Sequence, residues 1–239
     1  MPRFLRLLSA VLPLMVMPMA GQASGFGIDA TRLIYPQGAG SISVTLRNTL
    51  TTTPYLVQTA ISRTPAGTEP VPFIATPPLF RLEPASINQV RITYRQSAPL
   101  PRDRESVFYF RASAIPASHA PDTDQSAGRV KGAAQFGVGN IIKLFYRPST
   151  LAGSALMAQK GLQFSRVGEG VRVNNPSPYF ISFASLSVGG KKLPLNTPEA
   201  LMIAPFGTHT FVAKELHGKV KWETIGDEGG IRAFSHDLP

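Results

Sequence analysis

The stretch Ile42-Ser43-Val44-Thr45-Leu46-Arg47 places an apolar side chain at every second position. The same alternation recurs at residues 90–94 (VRITY) and 219–223 (KVKWE). Successive side chains of a β-strand point to opposite faces, so this period predicts strands with one buried face. Val188-Gly189-Gly190-Lys191 is typical of a tight hairpin turn, because glycine tolerates positive φ. Strand signals at roughly ten-residue spacing, without a long capped helical period, predict an all-β chain built of sandwiches.

A proline near the middle of the chain marks a domain boundary. The strongly apolar run Ile141–Tyr146 ends at Arg147-Pro148-Ser149-Thr150. We therefore expect a first domain at residues 24–148 and a second at residues 153–239. The segment Ala117–Gly132 is polar and rich in Ala, Asp and Ser, which breaks the strand pattern and predicts a surface loop.

The beginning of the chain has the pattern of a secretory signal. Arg3 and Arg6 form a basic start, Leu7–Met19 is mostly apolar, and Gly21-Gln22-Ala23 supplies small residues at a cleavage spacing. This order predicts a signal peptide at residues 1–23 and export of the remainder. The alternative is a membrane anchor, but a spanning helix needs about 20 apolar residues and this run is shorter. We expect no stable membrane insertion.

Charge and cysteine content narrow the function classes. The formal net charge is +10, and loss of the two arginines of the signal would leave +8 (10 − 2). The cations are spread along the chain with no Lys/Arg block, which argues against a nucleic-acid partner. The chain has no cysteine, so it contains neither a disulfide nor a thiolate nucleophile and must rely on its apolar core.

Signatures of catalysis are missing from the sequence. There is no Gly-x-Ser-x-Gly elbow, no phosphate-binding loop and no His-Glu-x-x-His zinc helix. The four histidines are His119, His209, His217 and His236, and none has metal-ligand spacing to a second histidine or carboxylate on a predicted helix. We expect a protein that is not an enzyme and has no metal and no cofactor; a hydrolase without a known motif is a minor alternative.

Seven stretches follow one another in a fixed order along nearly the whole mature chain: Thr31–Pro36, Pro54–Gln58, Phe73–Pro84, Glu105–Phe110, Ile142–Pro148, Asn175–Phe180 and Ile203–Phe206. The most specific of them reads FIATPPLFRLEP. Together they resemble the periplasmic pilus and fimbrial assembly chaperones of the chaperone–usher pathway. Each stretch alone would be a weak match, but their order and spacing make the resemblance strong.

The resemblance implies two immunoglobulin-like β-sandwich domains in an L-shape, with a pilin subunit held in the cleft between them. A pilin lacks the last strand of its own sandwich, and the chaperone lends it one, an act called donor-strand complementation. The implied location is the periplasm, and the implied partners are pilin subunits and an outer-membrane usher. Self-association of the free chain is a further expectation, because an exposed donor strand can pair with a second copy.

The resemblance identifies the donor strand as Ala134–Ile142, with Ala134, Phe136 and Val138 filling the groove of the pilin. These three alternate with Gln135, Gly137 and Gly139, as a strand requires. Alternation alone favours a different interpretation, in which the three side chains face the core of their own domain. The resemblance reverses that preference.

The resemblance also identifies Arg32 and Lys143 as the pair of cations that holds the terminal carboxylate of the pilin. Two cations suit this task because both donate charge-assisted hydrogen bonds to one anion. Such an anchor would fix the register of strand pairing. Lys143 has the opposite parity to Phe136 and Val138, so we expect a bulge or a twist of the strand between them.

Three further residues, Glu83, Arg147 and Asp227, match an ionic network that connects the two domains in the family. We expect this network to set the angle of the cleft. The match at Asp227 is loose, because Gly226 stands where the family usually has asparagine.

Some features leave the subfamily and the function open to alternatives. Ala60 stands where many members have tryptophan, and the long segment 115–143 resembles a branch that usually has paired cysteines, which are absent here. The main alternative function is an exported β-sandwich binding module, such as an adhesin or a carbohydrate binder. A pilin subunit is a weaker alternative, because two domains are expected here instead of one.

Overall fold

The computed structural model describes residues 25–95, 99–117 and 136–238. The predicted signal peptide at 1–23 and residues 118–132 of the predicted loop lie outside these ranges. The described residues are almost entirely strands and turns, which confirms the predicted all-β class. No helix within these ranges is long and apolar enough to span a membrane.

The described chain up to Arg147 forms one sandwich of two sheets. Its strands are β1 (Phe26–Ile28), β2 (Arg32–Pro36), β3 (Ile42–Asn48), β4 (Tyr55–Ser62), β5 (Phe73–Thr76), β6 (Leu79–Leu82), β7 (Ser86–Tyr94), β8 (Ser106–Pro116) and β9 (Val138–Arg147). One sheet has the order β1-β3-β7-β5 and the other has the order β2-β9-β8-β4-β6. The predicted alternation is confirmed, since Val44, Leu46, Val90 and Ile92 are buried between the sheets.

The rest of the described chain forms a second sandwich with its own core. Its elements are α1 (Ala155–Lys160), β10 (Gln163–Val167), β11 (Gly170–Asn174), β12 (Ile181–Val188), β13 (Lys191–Lys192), α2 (Pro198–Leu201), β14 (Met202–Ile203), β15 (Thr208–Val212), β16 (Lys219–Ile225) and β17 (Ile231–Asp237). One sheet has the order β10-β11-β15, and the other has the order β13-β12-β16-β17 with β14 beside β12.

The hairpin between β12 and β13 has the predicted two-residue turn. Val188 pairs with Lys191, and Gly189 and Gly190 have φ of 54° and 81°. Two consecutive positive φ values suit glycine and match the twist of the flanking strands. The alternation predicted at 219–223 is also confirmed, because Val220 and Trp222 lie in the second core.

Candidate functional site

The outer edge of β9 is only partly paired. On one side, β9 pairs with β8 along its length from Val138 to Tyr146. On the other side, β2 begins at Arg32 and pairs with β9 only from Lys143 to Arg147. Within the described residues, the edge of β9 from Val138 to Ile142 therefore has no neighbouring strand. Its main-chain N–H and C=O groups are available to an added strand.

Phe136, two residues before β9, and Val138, the first residue of β9, are both open to solvent. Phe136 is 82% exposed and Val138 is 45% exposed, so neither is buried in the core of its own domain. Ala134, the third predicted groove-filling residue, lies outside the described residues. An exposed phenylalanine beside an unpaired strand edge is the combination that strand addition to a partner requires.

The bulge predicted as one explanation for the parity of Lys143 is absent. The pairing of β8 with β9 continues without a register shift from Ser106 opposite Tyr146 to Ala114 opposite Val138. Val138 and Lys143 therefore emerge on opposite faces of a regular strand. Val138 lies on the face of buried Ala114, whereas Lys143 points towards the second domain.

Arg32 and Lys143 are direct neighbours, because they face each other across the parallel pairing of β2 and β9. Both side chains reach groups of the second domain. Arg32 Nη1 donates to the carbonyl oxygen of Ile225 at 2.8 Å, and Lys143 Nζ donates to Ser182 Oγ at 3.4 Å. Arg32 Nε is buried and has no hydrogen-bond partner within the part of the chain that the structure describes. Adjacent strands thus place the two predicted anchor residues side by side at the junction of the domains.

The two cations are not paired with a carboxylate of the described residues. Neither forms a salt bridge with any described residue. Burial lowers the pKa of Lys143, and the nearby charge of Arg32 lowers it further. Burial also lowers the pKa of Arg32, against the opposing effect of Asp227 and Glu105. An anion between the two side chains would compensate both charges and supply an acceptor for Arg32 Nε.

Arg147 connects the domains through two carboxylates. Its Nη1 and Nη2 donate to Asp227 at 2.7 and 3.0 Å, a bidentate pair, and its Nε donates to Glu105 at 2.7 Å. The other oxygen of Glu105 accepts from the backbone N–H of Phe180 in the second domain at 2.8 Å. The structure therefore brings together Arg147 and Asp227, two of the three residues that the resemblance implies for this network.

The predicted place of Glu83 in this network is wrong. Glu83 pairs instead with Arg81 at 2.7 Å, and both side chains are more than half exposed. Glu105 takes the position beside Arg147, with only 2% of its side chain exposed. The register of the β8–β9 pairing explains this position, because Glu105 directly precedes β8. Ser106 lies opposite Tyr146, and the next position on each strand is Glu105 and Arg147.

Burial and ionic pairing shift the pKa values of the network residues in opposite directions. Burial alone would lower the pKa of Arg147, but hydrogen bonds and charges from Asp227 and Glu105 raise it above its ordinary value. Burial raises the pKa of the Glu105 carboxyl, although Arg147 and the N–H of Phe180 oppose that shift. The network is therefore a partly buried ionic contact, with Glu105 as its buried member, and its parts depend on one another.

Comparison with known proteins matches both halves of the chain to one family. Residues 25–152 match the family described as pili and flagellar-assembly chaperone, PapD N-terminal domain. Residues 157–236 match the family described as pili assembly chaperone PapD, C-terminal domain.

Individual relatives agree with the family match. The chain is 38% identical over 213 residues to the probable fimbrial chaperone protein ElfD of Escherichia coli K12, covering 88% of this chain and 85% of ElfD. The crystal structure of the Pseudomonas aeruginosa CupB2 chaperone has 33% identity and a TM-score of 0.72, covering 89% of this chain and 100% of that chain. A structure of the Salmonella enterica SafA pilin in complex with the SafB chaperone contains a chain with 28% identity and a TM-score of 0.75, covering 92% of this chain and 99% of that chain.

Proposed function

Because this chain belongs to the family of PapD pili assembly chaperones, whose members are chaperones and not enzymes, we propose that it captures pilin subunits in the periplasm. It lends each subunit its β9 strand by donor-strand complementation and delivers the subunit to an outer-membrane usher. The observation that carries this proposal is the free edge of β9, which ends at two cations that form no salt bridge with the described residues.

The position of β2 supports a defined direction for the bound strand. An added strand on the free edge of β9 occupies the same place in the sheet as β2 and ends where β2 begins, at Arg32. If its carboxyl end meets Arg32 and Lys143, it runs in the same direction as β2 and is therefore parallel to β9. The carboxylate fixes the register, because a slip by one residue would turn every side chain to the other face.

Phe136 and Val138 supply the apolar part of the proposed interaction. Both are exposed in the free chain, and burying each in an apolar groove contributes roughly 1.5–3 kcal/mol. Ala134 would continue the same row in the bound state. The edge that is free for a pilin also suits pairing with a second copy, which a pilin would displace.

Replacement of Phe136 by serine tests the donor-strand role. We expect Phe136→Ser to weaken binding of a co-expressed pilin about 10- to 100-fold, because roughly 1.5–3 kcal/mol of apolar burial is lost. The thermal midpoint of the chain should stay unchanged, since this side chain is 82% exposed. Pilin retained by the tagged chain from periplasmic extract is the quantity measured.

Ile87→Ser provides the matched control, because Ile87 is 70% exposed on β7 in the other sheet. This variant should retain pilin as the unaltered chain does. Equal retention by the Phe136 variant and the unaltered chain would contradict the donor-strand proposal. Retention of no pilin by any form would favour the exported binding module instead.

The lowered pKa of Lys143 predicts that pilin binding weakens in alkaline solution. A bound carboxylate favours the charged ammonium, so affinity is complete below the pKa of free Lys143 and falls as the pH rises through it. Burial places that pKa below its ordinary value of 10.5. Tyr109, opposite Lys143 on β8, keeps its proton to higher pH because burial raises its pKa. Titration of pilin affinity against pH measures the effect.

Lys143→Met is the control for this titration, because it removes the group that titrates. Its affinity should be weak at every pH and should lack the alkaline decline of the unaltered chain. The same decline in both proteins would show that another group causes it and would contradict the assignment to Lys143.

A further inference from the structure

The second domain touches both proposed anchor residues. Ile225 accepts a hydrogen bond from Arg32 through its backbone carbonyl, and Ser182 accepts one from Lys143 through its hydroxyl. We propose that the Ser182 hydroxyl is a third ligand of the terminal carboxylate of the subunit, so that the second domain takes part directly in anchoring. This inference rests on the proposed function.

The hydroxyl of Ser182 has a hydrogen to donate, and no described residue accepts it. Ser182 is 3% exposed, and its only side-chain hydrogen bond among the described residues is the one it accepts from Lys143. A buried hydroxyl normally satisfies its donor as well as its acceptor. A carboxylate oxygen placed beside Lys143 would accept this hydrogen bond.

The contact between Ser182 and Lys143 is itself weak. Its length of 3.4 Å lies beyond the usual range for a hydrogen bond from nitrogen to oxygen. The ammonium has three donors, so the remaining donors can turn to an incoming carboxylate while the serine stays nearby. Ser182 is therefore placed to complete the anion site rather than to hold Lys143 away from it.

The ionic network fixes Ser182 in this position. Ser182 lies two residues after Phe180, whose N–H is bound by Glu105. Likewise, Ile225 lies two residues before Asp227, which is bound by Arg147. Arg147, Glu105 and Asp227 are thus positioning residues: they hold two segments of the second domain against the two cations of the first.

Three donors of this kind make the site selective for the chemical group at the end of the subunit chain. Two cations and a hydroxyl match the acceptors of a free chain-terminal carboxylate. A terminal amide has no negative charge and presents N–H groups of its own, so it would leave both cations uncompensated. The hydroxyl should therefore contribute to binding only when the ligand ends in a carboxylate.

A comparison of two peptides separates this role from a structural one. The probe is a synthetic peptide with the last strand of a pilin that binds the chain, prepared with either a free carboxylate or a terminal amide. We expect Ser182→Ala to weaken binding of the carboxylate peptide by about tenfold to a hundredfold, the range for loss of a hydrogen bond to a charged group. Ser182→Ala also removes the weak contact to Lys143 from the free chain. Because that contact is weak, its removal should restore little of the lost affinity. Binding of the amide peptide should not change.

Ser187→Ala is the matched control, because Ser187 lies on the same strand, is half-buried and donates its hydroxyl to the backbone carbonyl of Lys221 instead. Should Ser182→Ala fold poorly by thermal melting, Ser182→Cys replaces it, since a thiol keeps the shape but donates only weakly. If the Ser182 variant binds both peptides more weakly to the same extent, or binds both as the unaltered chain does, the inference is overturned and the proposed function stays intact. Equal binding of both peptides to the unaltered chain would instead contradict the carboxylate anchor itself, and this inference with it.

Discussion

Replacing Arg32 and Lys143 together by alanine is expected to abolish retention of pilin by the chain. Each cation donates charge-assisted hydrogen bonds to the proposed carboxylate, and each such bond contributes about 1.5–3 kcal/mol. Loss of both should reduce affinity by about 10²- to 10⁴-fold. Passing periplasmic extract that contains a co-expressed pilin over the tagged chain and its variant measures this directly.

The same double variant should remain as stable as the unaltered chain. Burial lowers the pKa of both side chains, so their charges oppose folding at neutral pH instead of favouring it. A variant that loses pilin but keeps its thermal midpoint would show that the two cations serve binding and are not needed for stability.

Lys191→Ala/Lys192→Ala removes the same charge from the exposed hairpin strand β13 and serves as the control. It should retain pilin normally, because these lysines lie far along the chain from the anchor strands and within the second domain. Retention of pilin by the Arg32/Lys143 variant at the level of this control would show that the anchor residues are wrongly assigned.

Arg147→Met is expected to lower the free energy of unfolding by about 3–5 kcal/mol, the cost of breaking a buried ion pair on one side. The substitution leaves Glu105 buried without its cation and removes both hydrogen bonds to Asp227. It should also weaken pilin binding, because Ser182 and Ile225 would no longer be held against the anchor. Urea unfolding measures the first effect and co-purification the second.

Two carboxylate variants test which residue completes the network. Glu105→Gln should destabilise the chain, since its carboxylate is 2% exposed and contacts both Arg147 and Phe180. Glu83→Gln should change stability by less than about 1 kcal/mol, as expected for an exposed ion pair. Equal effects of the two substitutions, or a larger effect at Glu83, would contradict the network described above.

Features that depend on one strand and its neighbour could be predicted from the sequence. Alternation at 42–47 identified a strand because burial of one sheet face has a period of two residues. Gly189 and Gly190 identified a turn because few other residues adopt two positive φ values in succession. Arg32 and Lys143 came from a family resemblance, and their adjacency follows from the parallel pairing of β2 with β9.

Features that depend on how the two sandwiches meet could not be read in the same way. Glu83 and Glu105 both lie near the ends of strands, and no local pattern tells which of them faces Arg147. Ser182 looks like any serine of an alternating strand, and its importance arises only from a contact with Lys143 across the domain boundary. Ladder register, which joins Ser106 to Tyr146, was the one signal that would have favoured Glu105.

Site-specific photo-crosslinking can detect donor-strand pairing at β9 in the complex with a pilin. A photoreactive phenylalanine analogue at position 136 should form a crosslink to the strands that border the groove of a bound pilin, as read by mass spectrometry of the linked peptides. The same analogue at Ile87, on the other sheet, should form none. Crosslinks at Ile87 but not at position 136, from a chain that still retains pilin, would contradict donor-strand complementation by β9.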